Sequence, residues 1–239
     1  MKTAILSDIH GNLPALEAVV ANAEAQGCTR FVNLGDVVSG PLWPAETADW
    51  LIARGWPTIA GNHERQLLTL APARMGASDG FSRPLLSEAQ LGWMAALPGT
   101  LALDGLFLCH GTPANDLEHF LETVEAEGLR RATPREVAAR LGARSEPITL
   151  CGHSHIAGLL RLADRRSVAN PGSVGLQGFF DDYPYPYAVR GDDPRARYAI
   201  VEGGEVTFHA VAYDHARAAA KAEREGRDDW ARALATGAP

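Results

Sequence analysis

The chain opens on a four-residue apolar run, Thr3–Leu6, that stops abruptly at Ser7-Asp8. That is the pattern of a short strand buried on both faces. Leu13, Leu16, Val19 and Val20 then recur at helical spacing, with Gly27 placed to end the helix. Phe31–Leu34 reads as a second strand, Ala45–Ala53 as a helix and Thr58–Ala60 as a third, very short strand. This β-α-β-α-β order predicts parallel strands joined by right-handed crossovers. Helical segments follow near Glu64–Leu70 and Ser87–Leu97. A hairpin comes next, Leu101–Leu103 with Leu106–Cys109, turning at Asp104-Gly105.

The second half changes style. Glu118–Glu127 and Pro134–Leu141 read as helices, the latter with Thr133 as N-cap and Pro134 at its first position. Ile148–Leu150 is another buried strand. Leu159–Leu162, Ser167–Ala169, Arg197–Glu202 and Glu205–Ala210 are short strands with tight turns, Gly203-Gly204 among them. Asp214–Leu234 is alanine-rich, with Glu223 and Arg227 four apart, and reads as an exposed helix. No internal repeat or low-complexity linker divides the chain. The expectation is one layered α/β domain over residues 1–239, parallel early and antiparallel late, with a helical tail over 212–239.

At 239 residues, 46% apolar and 21% charged, the composition is that of a folded globular chain. No apolar run approaches the roughly 18 residues that span a bilayer, and Met1–Ile9 is too short and too soon polar for a signal peptide. Three cysteines, Cys28, Cys109 and Cys151, form no CxxC pair, which disfavours both a disulfide framework and a cysteine zinc site. A reduced, cytoplasmic setting without membrane contact fits. The formal charge of −7 argues against long nucleic acid as a partner and leaves small or metal-masked anions.

The chemistry lies where apolar strands end. Five times a strand runs into Asp, Asn or His beside glycine: Ser7-Asp8-Ile9-His10-Gly11-Asn12, Gly35-Asp36, Gly61-Asn62-His63-Glu64, His110-Gly111 and Gly152-His153-Ser154-His155. The carboxyl ends of parallel strands share one edge, where ligands bind in open α/β sheets. Packing alone gives no reason to bury such groups, which cost free energy unless paired or metal-bound. Asp8 and His10, and likewise His153 and His155, are two apart, so in an extended segment each pair faces one side. Imidazoles, carboxylates and one amide suit Zn²⁺, Mn²⁺ or Fe better than the oxygen-only preferences of Mg²⁺ or Ca²⁺. Asp8, His10, Asp36, Asn62, His110, His153 and His155 are too many ligands for one metal. They suit two that share a bridging carboxylate and water.

These five blocks, in this order, resemble the calcineurin-like metallophosphoesterase superfamily: D-x-H, G-D, G-N-H-E, an isolated H and G-H-x-H. The resemblance runs from about Lys2 to Ser173, and Asn170-Pro171-Gly172-Ser173-Val174 is similar to a turn of its small prokaryotic phosphodiesterase-like branch. It implies a four-layer α/β/β/α sandwich of mixed sheets. It also implies two divalent ions (Mn, Zn, Fe or Ni) and hydrolysis of phosphomonoesters or phosphodiesters by a metal-bound hydroxide. The acidic composition and single compact domain point to small substrates, nucleotide-like ones among them. On this resemblance Asp8, His10 and His155 hold the first metal, Asn62, His110 and His153 the second, and Asp36 bridges. His63 is the catalytic histidine that protonates the leaving oxygen. A nuclease and a non-catalytic protein-binding scaffold of the same fold are the alternatives. The absence of a basic stripe opposes the first, and His63 with a complete ligand set opposes the second.

The second block departs from the family. Gly35-Asp36 is followed by Val37-Val38-Ser39-Gly40-Pro41, which shifts the usual glycine and lacks the phosphate-gripping arginine of serine/threonine protein phosphatases. Glu64 either orients the ligand shell or begins a helix. Asn12 reads as a helix cap and Arg65 as a solvated helix residue. His119, His209 and His215 lie outside the motifs, and Cys109 and Cys151 read as core fillers. Tyr183-Pro184-Tyr185-Pro186-Tyr187, after Gly178-Phe179-Phe180-Asp181-Asp182, reads first as a loop packed on its own domain or against a second subunit. Stacking of a base or aryl group is its second reading, and Trp43 shares that alternative. Exposed aromatic loops and a long final helix leave room for a homo-oligomer.

Overall fold

A computed structural model describes all residues, Met1–Pro239. Its elements are β1 (Thr3–Leu6), α1 (Leu13–Ala25), β2 (Arg30–Asn33), α2 (Pro44–Ile52), α3 (Asn62–Thr69), α4 (Ala77–Ser82), α5 (Glu88–Ala95), β3 (Thr100–Leu103) and β4 (Leu106–Cys109). There follow β5 (Glu122–Glu125), β6 (Gly128–Arg131), α6 (Pro134–Leu141), β7 (Ile148–Leu150), β8 (Gly158–Arg161) and β9 (Ser167–Asn170). The chain closes with β10 (Phe179–Asp181), β11 (Tyr187–Val189), β12 (Ala196–Glu202), β13 (Glu205–Val211), α7 (His215–Arg224) and α8 (Asp228–Thr236).

Two mixed sheets form the centre. One has the order β13-β12-β1-β2, with β1 and β2 parallel; the other is β3-β4-β7-β9-β8, with β4, β7 and β9 parallel. Strand alternation decides the layers. In β1, Ala4 and Leu6 pack with α1, α2, α3 and α5 on the outer face, while Ile5 points between the sheets. In β4, Leu108 joins Ile5 between the sheets and Phe107 and Cys109 pack outward on Val137 and Leu141 of α6. The result is the expected α/β/β/α sandwich, both inner faces dry. Asp104 and Gly105 turn the β3–β4 hairpin with φ of 50° and 81°, the two left-handed positions that a two-residue hairpin demands. Thr58–Ala60 contributes only an isolated parallel bridge, Thr58 to Asn33.

Two expectations fail. Glu118–Glu127 is not a helix; Glu122–Glu125 pairs antiparallel with β6, turning into Gly128 at φ 118°. Its acidic residues have cross-strand cations, Glu122 with Arg131 and Glu125 with Arg130, pairings that the hairpin supplies. The tail is not one exposed helix either. Gly226, at φ 72°, breaks it into α7 and α8, whose Ala218, Ala222, Trp230, Ala233 and Leu234 are buried with Leu42 and Leu176. Arg227 pairs with Asp229 rather than Glu223. No helix is long and apolar enough to cross a membrane.

Candidate metal centre

The carboxyl ends of β1 and β2 in one sheet and of β4 and β7 in the other carry four of the five polar blocks, and the N-terminus of α3 carries the remaining one. All seven residues expected as ligands come together there and are buried. Asp8, His10 and His155 form one group, and Asp36, His110 and His153 another, each with its donor atoms within 4.8 Å of one another. The Asn62 side-chain oxygen lies 3.1 Å from Nε2 of His110, which is 3.0 Å from Oδ2 of Asp36. His153 and His155, neighbours in one motif, are split between the two groups.

The expected reason for the two-apart pairs is wrong. Asp8, His10, Asp36, His153 and His155 all have left-handed backbone, with φ between 52° and 66°. Only two other non-glycine residues, Asp104 and Arg165, share that region. Such conformations cost free energy outside glycine and gather at functional sites. The strands end as they do because the backbone curls to aim side chains at a point. Glycines make room for this: a Cβ on Gly61 would strike the Asp36 carboxylate, and one on Gly152 the Ser7 hydroxyl.

Backbone carbonyls fix the imidazoles. Nδ1 of His10, His110 and His155 donates to the oxygens of Ser39 (2.8 Å), Leu34 (2.7 Å) and Leu176 (2.6 Å). A carbonyl accepts only, so in each neutral ring the inward Nε2 carries a lone pair. His153 is turned the other way, with Nε2 on the Leu117 oxygen at 3.0 Å, which leaves Nδ1 inward. His10 and His155 then point two Nε2 lone pairs at each other across 3.1 Å, and Oδ2 of Asp8 is buried without a partner. Two facing lone pairs repel unless a cation sits between them. The donor set therefore fits metal ions.

The local field agrees. Burial, with His155 alongside, holds the His10 imidazole down at about 4; burial and His110 do the same for His153, also at about 4. Both rings are neutral at pH 7, the form that ligates. At Asp36 burial opposes ionisation, yet His110 and His63 beside it keep the carboxyl well below its usual range. His110 responds in the opposite sense. Burial would depress it, but Asp36 and Asp8 raise it to about 10, a measure of how strongly this point favours positive charge.

His63 stands outside both groups. Its backbone N–H donates to Oδ1 of Asp36 at 3.0 Å, and its Nδ1 lies 2.8 Å from Oδ1 of Asp79. Burial alone would lower its pKa; Asp36 and the Asp79 hydrogen bond carry it up to about 9. Glu64 resolves in favour of both readings at once. It is the third residue of α3, and its carboxylate accepts from the backbone N–H groups of Asp36, Val37 and Gly61, each at 2.8 Å. It thereby ties the second block to the third.

A cavity of about 580 Å³ opens on His10, Asp36, Asn62, His63, His153 and His155. Phe179, Phe180 and Tyr183 line it, as do Trp230 and Arg227 of the C-terminal segment. Trp43 is not part of that lining; it packs on the C-terminal helices. Tyr187 is buried and bonds His119 at 2.7 Å, so the aromatic segment is divided between packing and cavity. Asn12 caps α1 through Ala15 N–H, Arg65 is held bidentate by Asp116, and the three cysteines are buried and free. Asp79 and α8 carry no signal in the sequence that would place them here. Asp79 sits in a short polar helix without a motif, and α8 lies some 200 residues from the first block.

With this geometry in view, residues 1–190 match the calcineurin-like phosphoesterase superfamily domain, and the chain belongs to that family. A crystal structure of a metallophosphoesterase from Sphaerobacter thermophilus is similar at 25% identity and TM-score 0.78, covering 99% of both chains. A hypothetical protein from Pyrococcus horikoshii has the same fold at 18% identity and TM-score 0.77, covering 99% of this chain and 98% of its own. An uncharacterized protein of Methanocaldococcus jannaschii is 34% identical over 65 residues, which spans 27% of each chain.

Proposed function

We propose that the protein is a dinuclear metal-dependent phosphoesterase acting on small phosphomonoesters or phosphodiesters, nucleotide-like ones among them. The observation that carries this reading is the pair of facing imidazole nitrogens, His10 and His155 at 3.1 Å, together with a second donor group, Asp36, His110 and His153. Asp8, His10 and His155 would hold one ion, Asn62, His110 and His153 the other, with Asp36 between them. Two bound divalent ions supply activated water and neutralise phosphate charge in an in-line displacement.

The chain's own residues do the rest. Asp79 keeps the His63 ring in one tautomer, with the proton on Nδ1 and Nε2 left for the substrate. Protonated His63 gives its Nε2 proton to the departing alkoxide, and the carboxylates of Asp36 and Asp79 stabilise that charged form. The Asn62 amide can ligate through oxygen while its N–H₂ donates to a phosphate oxygen.

The test is a screen of phosphomonoesters, phosphodiesters and nucleotides against protein reconstituted with Mn²⁺, Zn²⁺, Fe²⁺ or Ni²⁺. Turnover of at least one ester class, abolished by chelation, is expected. No cleavage under any loading would leave the scaffold alternative standing.

A further inference from the structure

The second block has Gly40 where protein phosphatases carry an arginine, and the structure fills that place from the far end of the chain. A Cβ on Gly40 would collide with the Trp230 indole and with the His10 carbonyl, so the missing side chain is what admits α8. The Trp230 ring lies edge-on to His10 at 5.8 Å between centroids. Three residues earlier, Arg227 reaches the wall that carries Asp79: its Nη1 donates to Ser78 Oγ at 3.3 Å. Asp229 holds Nε and Nη2 at 2.9 and 2.7 Å, which orients the guanidinium plane and leaves one hydrogen on Nη1 and one on Nη2 uncommitted.

Arg74 lines the same cavity. Arg74 and Arg227 are the two guanidinium groups among the residues lining the cavity. The carboxylates there, beyond the ligand set, are all engaged. Asp79 holds His63 and Ser39, Asp181 accepts from the Tyr187 hydroxyl and from the N–H groups of Asp182 and Tyr183, and Asp229 pairs with Arg227. Arg74 is exposed, and none of the ion pairs of the molecule includes it. The Asp229 side chain is 58% exposed, so solvent screens its pairing with Arg227, and a doubly charged anion would compete with it for the guanidinium.

A reacting phosphate belongs at the buried ligand groups. Two arginines that line the same cavity outside those groups would meet a different anionic group of the same substrate. Beside them Phe180 and Tyr183, 64% and 62% exposed and both lining the cavity, offer ring faces that no packing contact needs. We propose that Arg74 and Arg227 are specificity residues that grip a second, non-reacting phosphate, so that the substrate class is a nucleotide carrying at least two phosphates. This rests on the phosphoesterase reading and narrows its substrate.

The comparison that tests it keeps one nucleoside and the same 3′ and 5′ ester bonds, and varies only whether a second phosphate is present. Metal-loaded full-length protein is assayed with adenosine 3′,5′-bisphosphate against adenosine 3′-monophosphate and 5′-monophosphate. The bisphosphate is expected to have the higher kcat/KM by about tenfold or more, mainly through KM. Arg74→Gln and Arg227→Gln should each shrink that ratio, the double variant should bring it near one, and Arg74→Lys should retain part of it. A wild-type ratio near one, or a ratio that the double variant leaves unchanged, overturns the proposal. If the loaded protein cleaves no ester at all, the phosphoesterase reading fails, and calorimetry then judges the arginines alone. Pyrophosphate should bind the Mn²⁺-loaded protein more tightly than phosphate does, with the difference lost in the double variant; equal affinities, or a difference that survives, overturn it.

Discussion

His63 is held by Asp79: Nδ1 of the ring and Oδ1 of the carboxylate are 2.8 Å apart, and Ser39 Oγ anchors the same oxygen at 2.7 Å. The two residues sit on different helices, α3 and α4, and no sequence motif links them. Asp79→Asn leaves the metal ligands untouched but replaces an acceptor-only group by an amide that no longer favours the charged ring. The Asp79 contact raises the His63 pKa, and an acid works only while protonated, so activity falls as pH rises through that pKa. In Asp79→Asn the alkaline fall of kcat should therefore move to lower pH, with kcat down about tenfold to a hundredfold at neutral pH. A pH–rate profile superimposable on wild type would separate Asp79 from the reaction.

His63→Ala should lower kcat by about 10²–10⁴ while metal content, read by elemental analysis, stays at the wild-type value. His63 lies in neither donor group, so the two readouts separate proton transfer from metal binding. Undiminished turnover in the variant removes His63 from the mechanism.

Two facing imidazole nitrogens and an Asp8 oxygen without a protein partner form a donor set that bound cations would satisfy. Repleted protein should hold two ions per chain and should melt at a lower temperature after chelation. At a hundredfold excess over Kd the stabilisation is about 2.7 kcal/mol per site. An unaltered Tm together with no bound metal after repletion would sink the dinuclear reading.

Glu64 satisfies three buried backbone N–H groups with one carboxylate. Glu64→Gln keeps one oxygen and turns an N–H₂ towards donors, so at least one of the three is left unpaired. A loss of about 3 kcal/mol is expected, seen as a lower urea midpoint at constant slope. Metal affinity should fall too, because Asp36 N–H is one of the three. Wild-type stability would mean that the loop carrying Asp36 does not depend on this staple.

The strands and their polar ends were legible in the chain because each rests on local rules. Apolar runs such as Thr3–Leu6 and Ile148–Leu150 have no other stable fate than a sheet interior, and the Asp104-Gly105 turn carries its own backbone preference. The seven donor residues were legible for a related reason: buried imidazoles and carboxylates at strand ends are too costly to be accidental. Glu118–Glu127 was misread because a charged stretch of mixed propensity takes its structure from partners, here Arg130 and Arg131 across a hairpin.

Sequence alone thus determined the layered α/β class, the seven buried donor residues and the presence of His63, all of which follow from residue type beside local pattern. Tertiary structure decided how His153 and His155 divide between two groups, which carboxylate orients His63, and that α8 walls the cavity. Those are matters of side-chain direction and of contact between segments far apart in the chain. Left-handed backbone at Asp8, His10, Asp36, His153 and His155 set the first, and packing of Trp230 into the space over Gly40 set the last. Neither has a local signature, because each depends on what the rest of the fold brings opposite.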